Sequence, residues 1–314
     1  MAAAAAAGAA AGASRDAEVW PALIAHRLAV VTAAATLVLI VAGGLVTNTG
    51  SALAVPDWPT TFGHNMFLYP LSGMVGGVLY EHSHRLIGAL VGLLTVCLAV
   101  ALWREGGAAR WLGVAATVAV IGQGTLGGLR VILLKDTLGI VHGTVAQAFF
   151  ALIVAIAFMT SAAARGPRPG VALPGPLALV ALAVTCLQIV FGALLTHSGW
   201  LQLHLAGALA VYTLVPTLTA RLRPSGDPLA TRGATVLLAL LGVQLVLGVA
   251  ALVARFEPST LPAAPALALA LPGAHRLVGS LILGTVTVLA LRCVSIGVHR
   301  SGAPALGRAA GALR

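Results

Sequence analysis

Eight uninterrupted apolar runs, each close to the ~20 residues a helix needs to cross a bilayer, dominate the chain. They lie near Leu28–Val46, Tyr80–Trp103, Trp111–Leu129, Leu138–Met159, Pro176–Leu195, Leu201–Ala220, Ala234–Ala254 and His275–Val294. Inside lipid every backbone N–H and C=O must find its partner within the protein, and runs of this length satisfy that demand as helices. The fold class follows directly: an all-α membrane protein of eight transmembrane helices. Composition agrees, with 59% hydrophobic and 8% charged residues against the roughly 25% charged of soluble proteins. An even number of spans returns both termini to the same side.

A formal net charge of +10 raises the question of nucleic acid, but the basic residues are scattered singly between spans and form no patch, which argues against such a partner. They sort by side instead. Arg15 and Arg27, Arg104 and Arg110, Arg165 and Arg168, Arg221, Arg223 and Arg232, and Arg292, Arg300, Arg308 and Arg314 flank the even-numbered connections and the termini, while the odd-numbered connections hold only Arg130, Lys135 and Arg255. The positive-inside rule then predicts a multi-pass protein with both termini cytoplasmic. Cys97, Cys186 and Cys293 fall within apolar runs far apart in sequence, so they read as packing residues and not as a disulfide or redox pair. The opening MAAAAAAGAAAGAS has neither a basic start nor a cleavage site, so residues 1–25 read as a disordered cytoplasmic tail and the first span as retained.

Between the fourth and fifth spans, RGPRPGVALPG (Arg165–Gly175) is too rich in proline and glycine to remain helical. It divides the chain into an N-terminal four-helix bundle over residues 26–164, a cytoplasmic linker over 165–175, a C-terminal four-helix bundle over 176–296 and a cytoplasmic tail over 297–314. The halves echo one another. HRLIGALVG from His84 resembles HRLVGSLIL from His275, and VHGTVAQA around His142 shares His-x-x-x-Ala with LHLAGALA around His204. Glycines near the ends of the preceding spans (Gly43, Gly44, Gly127, Gly128, Gly192, Gly248) repeat as well, and are suited to close helix approach or to a flat ligand. Two pseudo-symmetric bundles are expected, with a long outward connection at Thr47–Leu79 and a tight one at His197–Trp200.

Imidazoles and charges inside spanning helices are costly, so by default they line a cavity or hold a ligand. The stretch YEHSHRLIG (Tyr80–Gly88) concentrates them. His84, His142, His204 and His275 each lie in the first turns of an even-numbered span, at matched depth and two per half, where facing histidines form natural axial ligands to haem iron. A lone membrane histidine is more often an interhelical contact; four in register shift the balance toward ligation. His82 is turned roughly 200° from His84 around the helix and should point away from the bundle. His197 belongs to the outer turn, His26 and His299 to cytoplasmic ends, and His64 to the outer loop. Glu81 shares a helix face with His84 but equally suits an ion pair with Arg85 at i+4, and the two arrangements remain open. Arg85 and Arg276 each follow a candidate ligand, and each suits either a haem propionate or a snorkelling position.

Taken together, GGLVTNTGSALAVPDWP (Gly43–Pro59), Glu81-x-x-His84-Arg85, His142, the HSGWLQLH run ending at His204 and AHRLVG at His275 resemble the haem A synthase family. The resemblance extends over all eight spans. It implies a cell (inner) membrane oxidoreductase that converts haem O to haem A, for aa3-type cytochrome oxidase, by oxidising the C8 methyl group to a formyl group. On that reading His84 and His142, with Arg85, receive the substrate haem. His204 and His275, with Arg276, hold a permanent haem b, and Glu81 is the catalytic carboxylate. Haem O synthase, an electron acceptor, the lipid bilayer and further copies of the chain are the partners it suggests. One departure is that Thr47–Leu79 lacks the cysteine pair that many bacterial members carry, which argues against a thiol relay. The competing reading is a bis-histidine dihaem membrane cytochrome that only transfers electrons. A proton- or metal-coupled transporter is disfavoured, because Glu81 is the only acidic residue within any of these spans.

Overall fold

The computed structural model describes residues 2–166, 173–256 and 265–294. They form nine helices and two short 3-10 turns, and no strand is assigned among them. The helices are α1 (Ala2–Asn48), α2 (Gly77–Glu105), α3 (Gly107–Leu133), α4 (Asp136–Thr160), α5 (Ala162–Arg165), α6 (Gly175–Ser198), α7 (Leu201–Leu222), α8 (Pro228–Phe256) and α9 (Pro265–Val294). All but the four-residue α5 are long and apolar enough to cross a membrane, so the eight expected spans are all present. Each is longer than its apolar run, because helices continue past the hydrocarbon edge until a turn residue stops them. The crossing part of α1 is Leu23–Asn48, and the helix continues back to Ala2 through the stretch expected to be a disordered tail. Alanine, the strongest helix former, dominates that stretch. Most of the linker expected at 165–175 lies outside the described residues, as does the tail expected at 297–314.

Three of the reversals between spans are tight. Gly106 (φ 70°) separates α2 from α3, Leu134 in the left-handed region ends α3, and Gly199 (φ 74°) ends α6. Such stops leave consecutive spans antiparallel, so α2, α4, α7 and α9 all begin at the end of the molecule that carries the long 49–76 connection, called here the loop end.

Neighbouring helices pack as two rings. In the first half α1 meets α2 and α4, and α3 meets α2 and α4; in the second α6 meets α7 and α9, and α8 meets α7 and α9. The halves join where α9 contacts α1 and α4, and where α4 contacts α6. Accordingly α9 is the most enclosed span, whereas the others leave most of their surface outward. One core gathers Ala25, Ala29, Val91, Leu98, Phe149 and Ile153; the other gathers Val215, Leu218, Leu237, Val286 and Leu289. Val38, Leu93, Val118, Leu209 and Val246 are exposed, as expected of side chains whose solvent is lipid. Cys97 and Cys186 are likewise exposed and Cys293 is buried, and all three are free.

At the end opposite the loop, the Asp227 carboxylate accepts from the Leu229 and Ala230 amides, capping α8, and from Arg292 Nε at 2.8 Å. A capping side chain satisfies amides that the helix itself cannot. Since Arg292 belongs to α9, the same carboxylate fixes the relative height of α8 and α9.

Candidate functional site

Each of the four histidines expected to be ligands rests against a glycine of the helix before it. A Cβ built on Gly43 would stand 3.0 Å from His84 Cε1, one on Gly127 3.3 Å from His142 Cε1, one on Gly192 3.5 Å from His204 Cε1, and one on Gly248 3.0 Å from His275 Cε1. The glycines that sequence marked for close helix approach or a flat ligand thus provide seats for imidazoles. With the ring backs supported this way, the histidines of each half face one another. The His84 and His142 ring centroids are 6.4 Å apart with planes at 79°, and those of His204 and His275 are 6.1 Å apart at 68°.

That separation is chemically specific. A metal–imidazole bond of ~2 Å, with ~1.2 Å from ring nitrogen to ring centre, puts two trans imidazoles about 6.3 Å apart. The separations of the facing pairs are those a bis-histidine iron requires. The nitrogens are also under-used: Nδ1 of His84, His142 and His275 is buried with no hydrogen-bond partner, a costly state for a polar atom unless something else engages the ring.

Three glutamines belong to this arrangement and were not singled out from sequence. Gln123, Gln188 and Gln244 each lie one turn before a seat glycine. Gln123 Nε2 donates to the His142 carbonyl at 3.2 Å; Gln188 Nε2 donates to the His204 carbonyl at 3.0 Å and lies 3.2 Å from His204 Nδ1; Gln244 Nε2 lies 3.3 Å from His275 Nε2. Their spacing of four residues before Gly127, Gly192 and Gly248 is the signal that a search for repeats could have used.

Glu81 and Arg85, left open between two arrangements by sequence, form the ion pair: Arg85 Nη2 donates to Glu81 Oε1 at 2.6 Å. Arg85 also donates to the carbonyls of Val55, Asp57 and Thr60, and Glu81 Oε2 accepts from the Val55 amide at 2.9 Å. Both side chains therefore fasten the 49–76 connection over the start of α2, and among the described residues no hydrogen bond joins Glu81 to His84. The Arg85 guanidinium, which sequence left open between a haem propionate and a snorkelling position, is directed to loop carbonyls and to Glu81. His82 points away from the histidine pair as expected, into the same connection, with Nδ1 3.1 Å from Thr61 Oγ1 and its ring against Tyr69. Within the loop, Asp57 accepts from Thr60 Oγ1 and from the amides of Phe62 and Gly63. Burial pushes the Asp57 carboxyl up, but the hydrogen bonds from Gly63, Thr60 and Phe62 outweigh it and hold the group down at about 2. Trp58 lies on Gly128, so the loop also covers the end of α3 beside the seat of His142.

Arg276 is placed between the halves. Its guanidinium lies against Gly44 of α1, the neighbour of the His84 seat. A second cation was not expected here: Arg130, at the end of α3, packs with the His197 ring around Gly139. The Asn48 side-chain amide donates to the Leu269 carbonyl at 3.1 Å and adds a further tie between α1 and α9.

The fold and the site together define a class: a multi-pass helical membrane protein with two facing histidine pairs near one end, one pair in each half. The profile of the cytochrome oxidase assembly protein (COX15-CtaA) family matches residues 26–201, and the chain belongs to that family. A haem A synthase of Shouchella clausii is 37% identical over 105 residues, covering 32% of this chain and 34% of the relative. One from Alkalihalophilus pseudofirmus is 33% identical over 102 residues, covering 31% and 33%. A third, from Methylobacterium radiotolerans, is 27% identical over 238 residues, covering 63% and 61%. The chain thus spans between about a third and three fifths of the length of the curated relatives it matches.

Proposed function

We infer that the protein is a haem A synthase, a membrane oxidoreductase that converts the C8 methyl group of haem O to a formyl group, with His84 and His142 receiving the substrate and His204 and His275 holding a resident haem b. The observation that carries this reading is the pair of facing imidazoles in each half, at 6.4 Å and 6.1 Å between centroids, joined to the names of the relatives. A bound haem b would supply one-electron chemistry at its iron. The chain's own residues do the rest. The seat glycines and the glutamines orient the rings, and the covering loop, fastened by Glu81 and Arg85, limits access of water to the N-terminal pair. Glu81 is the carboxylate of that site, one helical turn before His84, where it balances cationic charge beside the substrate's edge. Arg130 and Arg276 are the cations available to propionates once Arg85 is engaged with the loop. Oxidising a methyl to a formyl group takes up one oxygen atom, supplied by water, and releases electrons and protons, so an electron acceptor is a required partner, and haem O synthase is the natural supplier of substrate. The orientation follows the arginine distribution: the loop end faces outward from an inner membrane and both termini are cytoplasmic.

Pigment extraction tests the proposal. The full chain is expressed with and without a haem O source, and the haems it carries are identified by mass. Haem A appearing only with the source, beside haem b in both preparations, is the expected result. Haem b alone in both would favour the electron-carrying cytochrome and overturn the enzyme.

A further inference from the structure

We propose that Gln123, Gln188 and Gln244 are positioning residues that brace His142, His204 and His275, and that His84, which has Leu39 where the others have glutamine, is the unbraced ligand through which the N-terminal site exchanges its haem. The proposal rests on the reading that these histidines ligate haem iron.

The equivalence of Leu39 to the glutamines is visible at three levels. In sequence all four residues precede a seat glycine by four positions: Leu39 and Gly43, Gln123 and Gly127, Gln188 and Gly192, Gln244 and Gly248. In space, a second glycine after the histidine faces three of them. A Cβ on Gly88 would lie 3.9 Å from Leu39 Cδ1, one on Gly279 3.4 Å from Gln244 Nε2, and one on Gly207 would collide with Gln188 Oε1. In the backbone, the carbonyls of Leu39, Gln123 and Gln244 stand beside the rings of His84, His142 and His275 respectively. The backbone environment is therefore shared, and the side chain makes the difference. At three positions an amide reaches the histidine's ring or carbonyl; at the fourth an isobutyl group offers no polar atom.

The unsatisfied atoms point the same way. Gln123, Gln188 and Gln244 each keep a buried Oε1 with no donor, and His142 and His275 each keep a buried Nδ1 with no partner. An imidazole bound to iron through one nitrogen carries a proton on the other and requires an acceptor there, and that outer contact fixes tautomer and ring orientation. A glutamine amide can turn to present either end, so Gln188 can place its oxygen on His204 Nδ1 and Gln244 on His275 Nε2, the ring nitrogens they lie beside, while Gln123 holds the backbone carbonyl of His142. His84 Nδ1 is also buried and unpartnered; the Leu39 carbonyl stands beside its ring as a carbonyl does for His142 and His275, but among the described residues no side-chain amide bonds to it.

The distribution matches two different tasks. A resident cofactor benefits from two fixed ligands, and the C-terminal pair has a glutamine on each. A substrate that must enter, and leave as product, is better served by one fixed ligand and one that releases, and the N-terminal pair has a glutamine on His142 only.

Haem loss to excess apomyoglobin, followed for the full chain loaded with haem b and haem O and assigned to each site by haem mass, tests the idea. Loss of an outer-shell contact to a ligand typically changes metal affinity by about 10–100-fold. Gln244→Leu is therefore expected to accelerate loss of haem b by about 10-fold, Gln244→Glu, which retains an acceptor, to restore most of it, and Leu39→Gln to slow release from the N-terminal site by a similar factor. A purely structural role for Gln244 would shift the thermal midpoint without changing haem loss from folded protein. Release rates within twofold of wild type in Gln244→Leu overturn the proposal, and that variant suffices if Leu39→Gln does not fold. A wild-type protein purified without haem in either half would instead remove the underlying haem reading.

Discussion

The four histidine seats differ in tightness, and the difference predicts unequal effects of the same small substitution on a single haem. Glycine to alanine in a helix interior ordinarily stabilises by roughly 1 kcal/mol, since alanine loses less backbone entropy on folding. At Gly248 the added methyl would lie 3.0 Å from His275 Cε1, where an ordinary carbon–carbon contact needs about 3.5 Å or more. The imidazole must therefore retreat by a few tenths of an ångström, more than the ~0.2 Å latitude of a metal–ligand distance. Overpacking of this kind costs about 1–3 kcal/mol, which the gain in helix propensity partly offsets. At Gly192, in the same pair, the methyl would meet His204 Cε1 at 3.5 Å, an ordinary contact. The expected outcome is a folded Gly248→Ala protein with haem b lost or weakly held, and a Gly192→Ala protein with full haem b and equal or slightly higher thermal stability. Absorbance and extracted haem per folded molecule measure both, and each variant controls for the other because on the proposed reading both seats serve one iron. Equal haem b in the two would refute the claim that these glycines set ligand position.

Three further outcomes follow from the site. Glu81→Gln keeps the shape but removes the charge opposing Arg85, and breaking a buried pair costs up to roughly 3–5 kcal/mol. The variant should retain haem b in the C-terminal half and accumulate haem O, and normal haem A per folded molecule would remove Glu81 from the mechanism. Reporters fused after Asp57 and after Arg168 should behave as exported and cytoplasmic respectively, and the opposite pattern would reverse the orientation. The Asp57 carboxyl is held at about 2 against an ordinary 3.8, so the anchoring it supplies is complete above the higher value and is lost as pH falls through the lower one. Protease sensitivity of the 49–76 connection should accordingly rise below about pH 4 and keep rising to about 2. Asp57→Asn should show no such rise, and a loop in the wild-type protein equally sensitive at pH 2 and pH 6 would contradict the assignment.

The spans and the four histidines were legible in sequence for one reason: lipid tolerates neither an unpaired backbone nor an idle imidazole, so both stand out against apolar surroundings. What lay outside reach were contacts whose partners are distant in the chain. Glu81 beside Arg85 offered two arrangements, and the decision rests with the carbonyls of Val55, Asp57 and Thr60, which lie 25 to 30 residues before Arg85 and meet it only when the connection folds back over α2. The glutamines were passed over because their signal is a repeat from span to span and not a period within one, and because their contacts reach a histidine on the next helix, 16 to 31 residues later.

Arg276 shows the same limit and leads one step further. Beside His275 in sequence, it was naturally assigned to the C-terminal site, yet its guanidinium lies on Gly44, adjoining the glycine that seats His84. Successive residues of α1 thus support a ligand of one half and a cation of the other. A side chain at Gly44 would displace the end of Arg276, a flexible group, beside the glycine that seats His84. The halves repeat as sequence, but at the loop end they are built as one body.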